Sequence, residues 1–142
     1  MSKKITLNDI KKDNKKFSEK VKVPLSETHH AEIYPHFSSV KITELIKEMV
    51  TDSERAKKAG IDFDKINLSD WGLYNIIYKF SDLGIPSDIE KKVETFHLLI
   101  EWDYFGKLIE SFPQESIDKF NNHLNNFNKN IEAIVKQNQL NK

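Results

Sequence analysis

The residues best suited to carrying chemistry are His29, His30 and His36, set close to Glu27 and Glu32. Imidazoles and carboxylates hold metals when three or four of them converge. Here the ends of two strands would have to bring them together, and their spacing matches no recognised metal motif. The chain has no cysteine, which excludes disulfides and thiolate metal sites. Asp62 and Asp64 begin like a calcium loop, but Ile66 stands where the third ligand belongs and Leu73 where the closing glutamate belongs. There is no GxSxG motif, no glycine-rich phosphate loop and no histidine placed by motif beside a nucleophile. Four glycines leave little backbone for a phosphate cradle. Asn67-Leu-Ser69 matches a glycosylation triplet and reads here as a helix cap. The expectation is a protein with no catalytic residues, no cofactor and no metal.

Nucleic-acid binding is the next chemistry to weigh. The formal charge is zero but unevenly spread: residues 1–22 hold eight lysines against Asp9, Asp13 and Glu19, leaving the rest of the chain acidic. A basic arm on an acidic body can meet nucleic acid or an acidic partner. The simpler expectation is a solvated, flexible basic arm over residues 1–16. The corner at Gly84-Ile85-Pro86 has the outline of a helix-turn-helix. Its second helix offers Lys91, Lys92 and Glu94, with Asp88 and Glu90 at the end that would meet DNA. Those acids would face phosphates, so nucleic acid is disfavoured as a partner.

What remains is surface for other proteins, and the elements that position it. Phe17, Val21, Val23 and Leu25 share one parity, the pattern of a half-buried strand. Ser26 to His30 supply a turn, and Ala31 to Tyr34 read as the returning strand. Pro24 places its strand at an edge or a bulge. Ile42, Leu45, Ile46, Met49 and Val50 make the stripe of an amphipathic helix capped by Ser38 or Ser39, and a polar helical stretch continues to Gly60. Residues 67–86 are apolar around most of a helix, through Trp71, Leu73, Tyr74, Ile76, Ile77, Tyr78, Phe80 and Leu83. Such a helix is buried, and this one is expected to be central, ending at Gly84. Ser87 and Glu90 form a capping box for a helix running to about Ser111. Trp102, Tyr104 and Phe105 cannot all face one side of it, which makes Trp102 and Phe105 candidates for partner contact.

Pro113 breaks the chain before a last helix of a different kind. Ile117, Phe120, Leu124, Phe127, Ile131 and Ile134 are spaced 3, 4, 3, 4, 3, a narrow coiled-coil seam, and Asn138 falls at its next position. The seam either packs back on the core or is offered to a helix of another chain. Phe120, Leu124, Phe127, Ile131 and Ile134 are therefore candidate partner-binding residues, with self-association among the possibilities. No apolar run reaches the length of a membrane span, and no apolar block follows the basic start, so a cytoplasmic protein is expected. The expected fold is α+β and mainly helical, an N-terminal β-hairpin packed on a bundle of about four to five helices. Its parts are an arm over 1–16, a core domain over 17–112 and a C-terminal amphipathic helix over 113–142.

The order of these parts carries a resemblance. A basic start, a short hairpin ending in AEIYPHFSSVKITELIKEMV, a polar helix to Gly60 and then DWGLYNIIYKFSDLGIP resembles small tail-assembly chaperones of long-tailed bacteriophages and prophages of Gram-positive bacteria. The likeness covers roughly residues 17–110 and rests on element order and the aromatic-rich central segment. It implies a mainly helical fold with a small hairpin. It also implies a non-enzymatic protein that coats the helical tape-measure protein in the host cytoplasm and brings it to tail-tube subunits. The family often makes a longer frameshifted product, a trait no amino-acid sequence displays. The alternative from another class is a small phage or prophage DNA-binding regulator using the lysine-rich arm.

Overall fold

The computed structural model describes residues 2–140. Its first element closes on itself: the Asp9 amide donates to the Thr6 hydroxyl, and the Thr6 amide donates back to the Asp9 carboxylate at 2.9 Å. This capping box satisfies two end donors at once and opens α1 (Leu7–Asp13), which buries none of its residues. A 3-10 turn over Asn14–Ser18 follows. The expected arm thus carries a capped helix of its own.

Strands β1 (Val21–Pro24) and β2 (His30–Ile33) pair antiparallel, with Val21 opposite Ile33 and Val23 opposite Ala31. Val23, Ala31 and Ile33 are buried. Phe17, expected to join the first strand, lies in the preceding 3-10 turn, and Val21 is left 44% exposed. The far edge of β2 is covered by the chain leaving the central helix. Tyr34 donates its amide to the Phe80 carbonyl at 2.8 Å, and Asp82 donates its amide to Glu32 at 3.1 Å. Pro24 sits on the outer strand, as a residue with no amide hydrogen should.

Helix α2 (Ser39–Lys58) starts at Ser38, whose hydroxyl accepts from the Lys41 amide, and runs unbroken through the polar stretch. Gly60 ends it with φ 78°, a left-handed conformation cheap only for glycine. Ile42, Leu45 and Ile46 are buried as expected, but Val50 is 53% exposed. The buried line passes instead through Asp52 and Ala56.

Helix α3 (Leu68–Phe80) is capped by Asn67 and stops short of Gly84. The reason lies in the hairpin: residues 80–82 turn extended to bond β2, and the Ser81 hydroxyl donates to the Ile77 carbonyl that the helix leaves free. Leu83, expected within the helix, is 41% exposed. Helix α4 (Ile89–Ile100) is capped by Asp88 rather than Ser87, since the Asp88 carboxylate accepts from the Lys91 amide.

A single helix to Ser111 was the expectation; the structure breaks it at residues 101–104 and resumes as α5 (Phe105–Glu110). The Trp102 and Phe105 amides donate three residues back, to Leu99 and Trp102. This tighter winding lets both aromatics pack against the same core cluster. Helix α6 (Gln114–Leu140) completes the chain.

The core has two clusters, and α3 serves both. Ile76, Ile77 and Phe80 face one, where Phe37 stacks on Phe80 at 3.8 Å among Ile33, Leu45, Leu108, Phe112 and Phe120. Trp71 and Tyr74 face the other, with Ala56, Ile89, Val93 and Phe96. The fold is α+β and mainly helical, a hairpin on a helical bundle, with α3 at its centre. No described helix is long and apolar enough to cross a membrane.

Candidate functional site

The C-terminal seam changes character along α6. Phe120 is only 2% exposed and belongs to the core. Ile117, Leu124 and Phe127 are half-buried against the same cluster, and Phe127 lines a small hollow between α2 and α6 beside Ile46 and His123. Polar anchors fix this half: the Ser116 hydroxyl donates to the Pro35 carbonyl, and the Lys119 ammonium donates to the Phe37 carbonyl at 2.7 Å. Asn130, one turn on, still borders that hollow with Thr43 and Lys47 of α2. Ile131 and Ile134 are 44% and 55% exposed. One seam is thus core in its first half and surface in its second.

Between α3 and α6 lies an apolar groove of about 440 Å³. Ile76 and Phe120 form its floor, Leu73, Ile117 and Leu124 its walls, and Leu68, 71% exposed, its rim. Gly72 also faces it, and a Cβ added there would meet nothing within 4 Å. A cleft of this kind between two helices is the form in which an apolar helix stripe is received. The contribution of α3 was missed from sequence. The available signal was that its apolar residues outnumber what one buried helix face requires.

A second groove, of about 420 Å³, runs beside α4, lined by Leu83, Ile85, Leu98, Leu99 and Trp102. Leu83 and Trp102 also line a neighbouring hollow against Leu25, His29 and His30 of the hairpin. Trp102 therefore borders both hollows. Phe105 is half-buried against the larger core cluster and lines neither hollow.

The densest polar arrangement is internal. Lys92, fully buried, donates to the Asp52 carboxylate at 2.9 Å and to Glu48 at 3.4 Å, and its ammonium lies 4.2 Å from the Tyr78 ring centre. Asp52 is also fully buried and takes Arg55 at 3.4 Å. Arg55 reaches on to the Ser87 carbonyl, the Tyr78 hydroxyl donates to Glu48 at 2.9 Å, and the Tyr74 hydroxyl donates to the Lys92 carbonyl at 2.7 Å. Burial pushes the Asp52 carboxyl above its ordinary range, against the pull of Lys92. Burial likewise pushes the Tyr74 and Tyr78 phenols up, so both stay protonated donors. Two cations facing two carboxylates tie α2 to α4 across α3. Lys92 is consequently unavailable to a phosphate, which removes one of the two lysines that the helix-turn-helix outline needed.

His29, His30 and His36 are all exposed, and the His29 ring is engaged by the Thr28 hydroxyl at 2.9 Å. Among the described residues no three His, Asp or Glu side chains are placed to hold a metal ion.

Fold and surface together define a small, mainly helical α+β domain with apolar grooves open between its helices. The chain belongs to the YomO family, whose model matches residues 7–142. It is 40% identical over 134 residues to the SPbeta prophage-derived uncharacterized protein YomO of Bacillus subtilis (strain 168), a match covering 94% of this chain and 78% of that protein. No solved structure matches it.

Proposed function

We propose that this protein is a non-enzymatic prophage assembly chaperone that holds a helical client in the groove between α3 and α6. The observation that carries the reading is that groove: an apolar cleft flanked by two helices, floored by Ile76 and Phe120 and open to solvent at Leu68. Prophage kinship and the resemblance of the element order to tail-assembly chaperones support a client of one kind, the long helical tape-measure protein, with tail-tube protein as the receiving partner. The work would take place in the host cytoplasm and needs no cofactor.

Gly72 supplies a clean test. Its φ is not positive and a Cβ there meets nothing within 4 Å, so a Cβ can be added without a clash and a larger side chain would extend into the groove. Replacing a helical glycine by a better helix former contributes up to about 1 kcal/mol of stability. Gly72→Leu should fill the groove while leaving melting unchanged or raised. Co-expression with the tape-measure and tail-tube proteins of the same prophage, followed by pull-down, should recover client with the parent protein and lose it with Gly72→Leu. Unchanged recovery by the variant would rule out this groove. Salt-dependent retention on DNA without any tail-protein capture would favour a regulator using the lysine-rich start, because several phosphate contacts make affinity fall steeply with salt.

A further inference from the structure

The N-terminal helix α1 and the groove beside α4 complement each other, and we infer that α1 of one copy of this chain docks in that groove of a second copy. Helix α1 has seven residues, and helices of this length are marginal in water unless they pack on something. Its capping box secures the first turn. Leu7 and Ile10, one turn apart on a single face, are nonetheless exposed, and so is Ile5 just before the cap. Residues 3–16 also hold six lysines against Asp9 and Asp13, and Asp9 is already engaged by Thr6. The helix is therefore an uncovered apolar face in a basic setting.

The groove is apolar in an acidic setting. Leu83, Ile85, Leu99 and Trp102 line it, with Leu98, 67% exposed, at its rim. Glu90, Glu94, Leu98 and Glu101 follow at steps of four, four and three, so a line of exposed acids runs along α4 and its C-cap through that rim. On the other wall, exposed Asp82 and Asp88 flank the 83–86 segment. Lys91 is the exposed cation of this stretch, since Lys92 is buried against Asp52. An apolar stripe set among lysines fits an apolar groove set among carboxylates. The polar residues lining the α3–α6 groove are neutral Ser69 and Asn121, so charge selects the groove beside α4.

The root of α1 is tied to its own body: the Lys119 ammonium lies 5.1 Å from the Phe17 ring centre, and Lys20 pairs with Asp82 at 3.2 Å. So tied, α1 buries none of its residues on its own chain and stands free to enter another. Each copy carries one helix and one groove, so two copies that exchange helices close a twofold pair.

The inference uses neither the α3–α6 groove nor any tail protein. The test is mass against concentration of the full chain, by light scattering and sedimentation. The expected result is a rise from 16.6 kDa toward twice that mass, weakened by added salt. Leu7→Ser/Ile10→Ser removes the stripe, and Leu98→Lys puts a like charge at the groove. All three positions are exposed, so dilute protein should melt as the parent does. Each variant alone should stay at single-chain mass, and mixing the two should restore association, because one supplies an intact groove and the other an intact helix. A single-chain mass for the parent at every concentration would overturn the inference, as would a dimer that survives either variant or a mixture that fails to associate. Binding to vesicles of anionic phospholipid by a parent protein that stays single-chain would overturn it as well, in favour of a lipid surface. Client capture by both variants is scored separately, so loss of pairing and loss of client binding remain distinguishable.

Discussion

Replacing Lys92 by methionine keeps most of the length of the side chain and removes its charge, which leaves Asp52 buried without its main partner. At 2.9 Å the gross attraction between these charges is about 6 kcal/mol for an effective dielectric constant of about 20. Desolvating both ions costs several kcal/mol each, so the intact pair contributes little net. Removing one partner is different: breaking a buried pair typically costs about 3–5 kcal/mol, because the remaining charge stays in the interior. For a chain of this size that corresponds to a drop of roughly 10–20 °C in melting temperature.

The penalty should depend on pH, and its sign follows from the carboxyl. Burial already raises the Asp52 pKa in the fold above its ordinary 3.8, and both Lys92 effects oppose that rise. Without Lys92 the folded pKa climbs further. A carboxyl with a raised folded pKa contributes stability that is fully present below the unfolded pKa and lost as pH rises through the folded one. Lys92→Met should therefore lie nearest the parent in mild acid and fall away from it toward neutrality. The double variant Lys92→Met/Asp52→Leu removes the stranded charge and should recover most of the loss, since Arg55 keeps Glu48 at 3.7 Å. Thermal melts by circular dichroism across pH give all three values. A single variant melting within two or three degrees of the parent, or a double variant no better than the single, would refute the argument.

Trp71, 3% exposed and packed edge-on to Phe63 and Phe96 at 5.2 Å, anchors the smaller core cluster. Trp71→Ala should cost about 3–5 kcal/mol, read as a chemical-denaturation midpoint well below the parent's. Deleting residues 1–15 should leave cooperative unfolding and its midpoint nearly unchanged, because α1 buries nothing; loss of the cooperative transition would expose a structural role. Phe120→Ala should destabilise by about 3–5 kcal/mol, whereas Ile131→Ser should shift melting by less than about 0.5 kcal/mol. Equal effects from these two would contradict the graded burial of α6.

Hydrophobic spacing made most of the elements legible. The stripe of α2, the all-apolar faces of α3 and the seam of α6 each mark a helix, and the parity of residues 21–25 marks a strand. The misplaced end of α3 has a cause that lies outside its own segment. Helix α3 ends at Phe80, although Gly84 and Pro86 are stronger local stop signals, because residues 80–82 gain hydrogen bonds to β2. Those bonds join positions nearly fifty residues apart, which no local pattern contains. The break after Ile100 was half legible: three aromatics in four residues could not share one helix face, and the chain resolves the conflict by leaving the helix.

The buried ion cluster was legible in principle and overlooked. Lys92 stands among Ile89, Val93 and Phe96 on the apolar stripe of α4, and Asp52 stands in line with Leu45 and Ala56 on that of α2. A charge at a stripe position on one helix means little, because long side chains can reach water. Opposite charges at stripe positions of two helices form a matched pair, since each makes the other's burial tolerable. The seam of α6 marks the limit of such reasoning. Spacing tells which face of a helix is apolar, not whether the body is long enough to cover it. The same 3,4 pattern is core at Phe120 and surface at Ile134, and only the place where the rest of the chain ends separates the two.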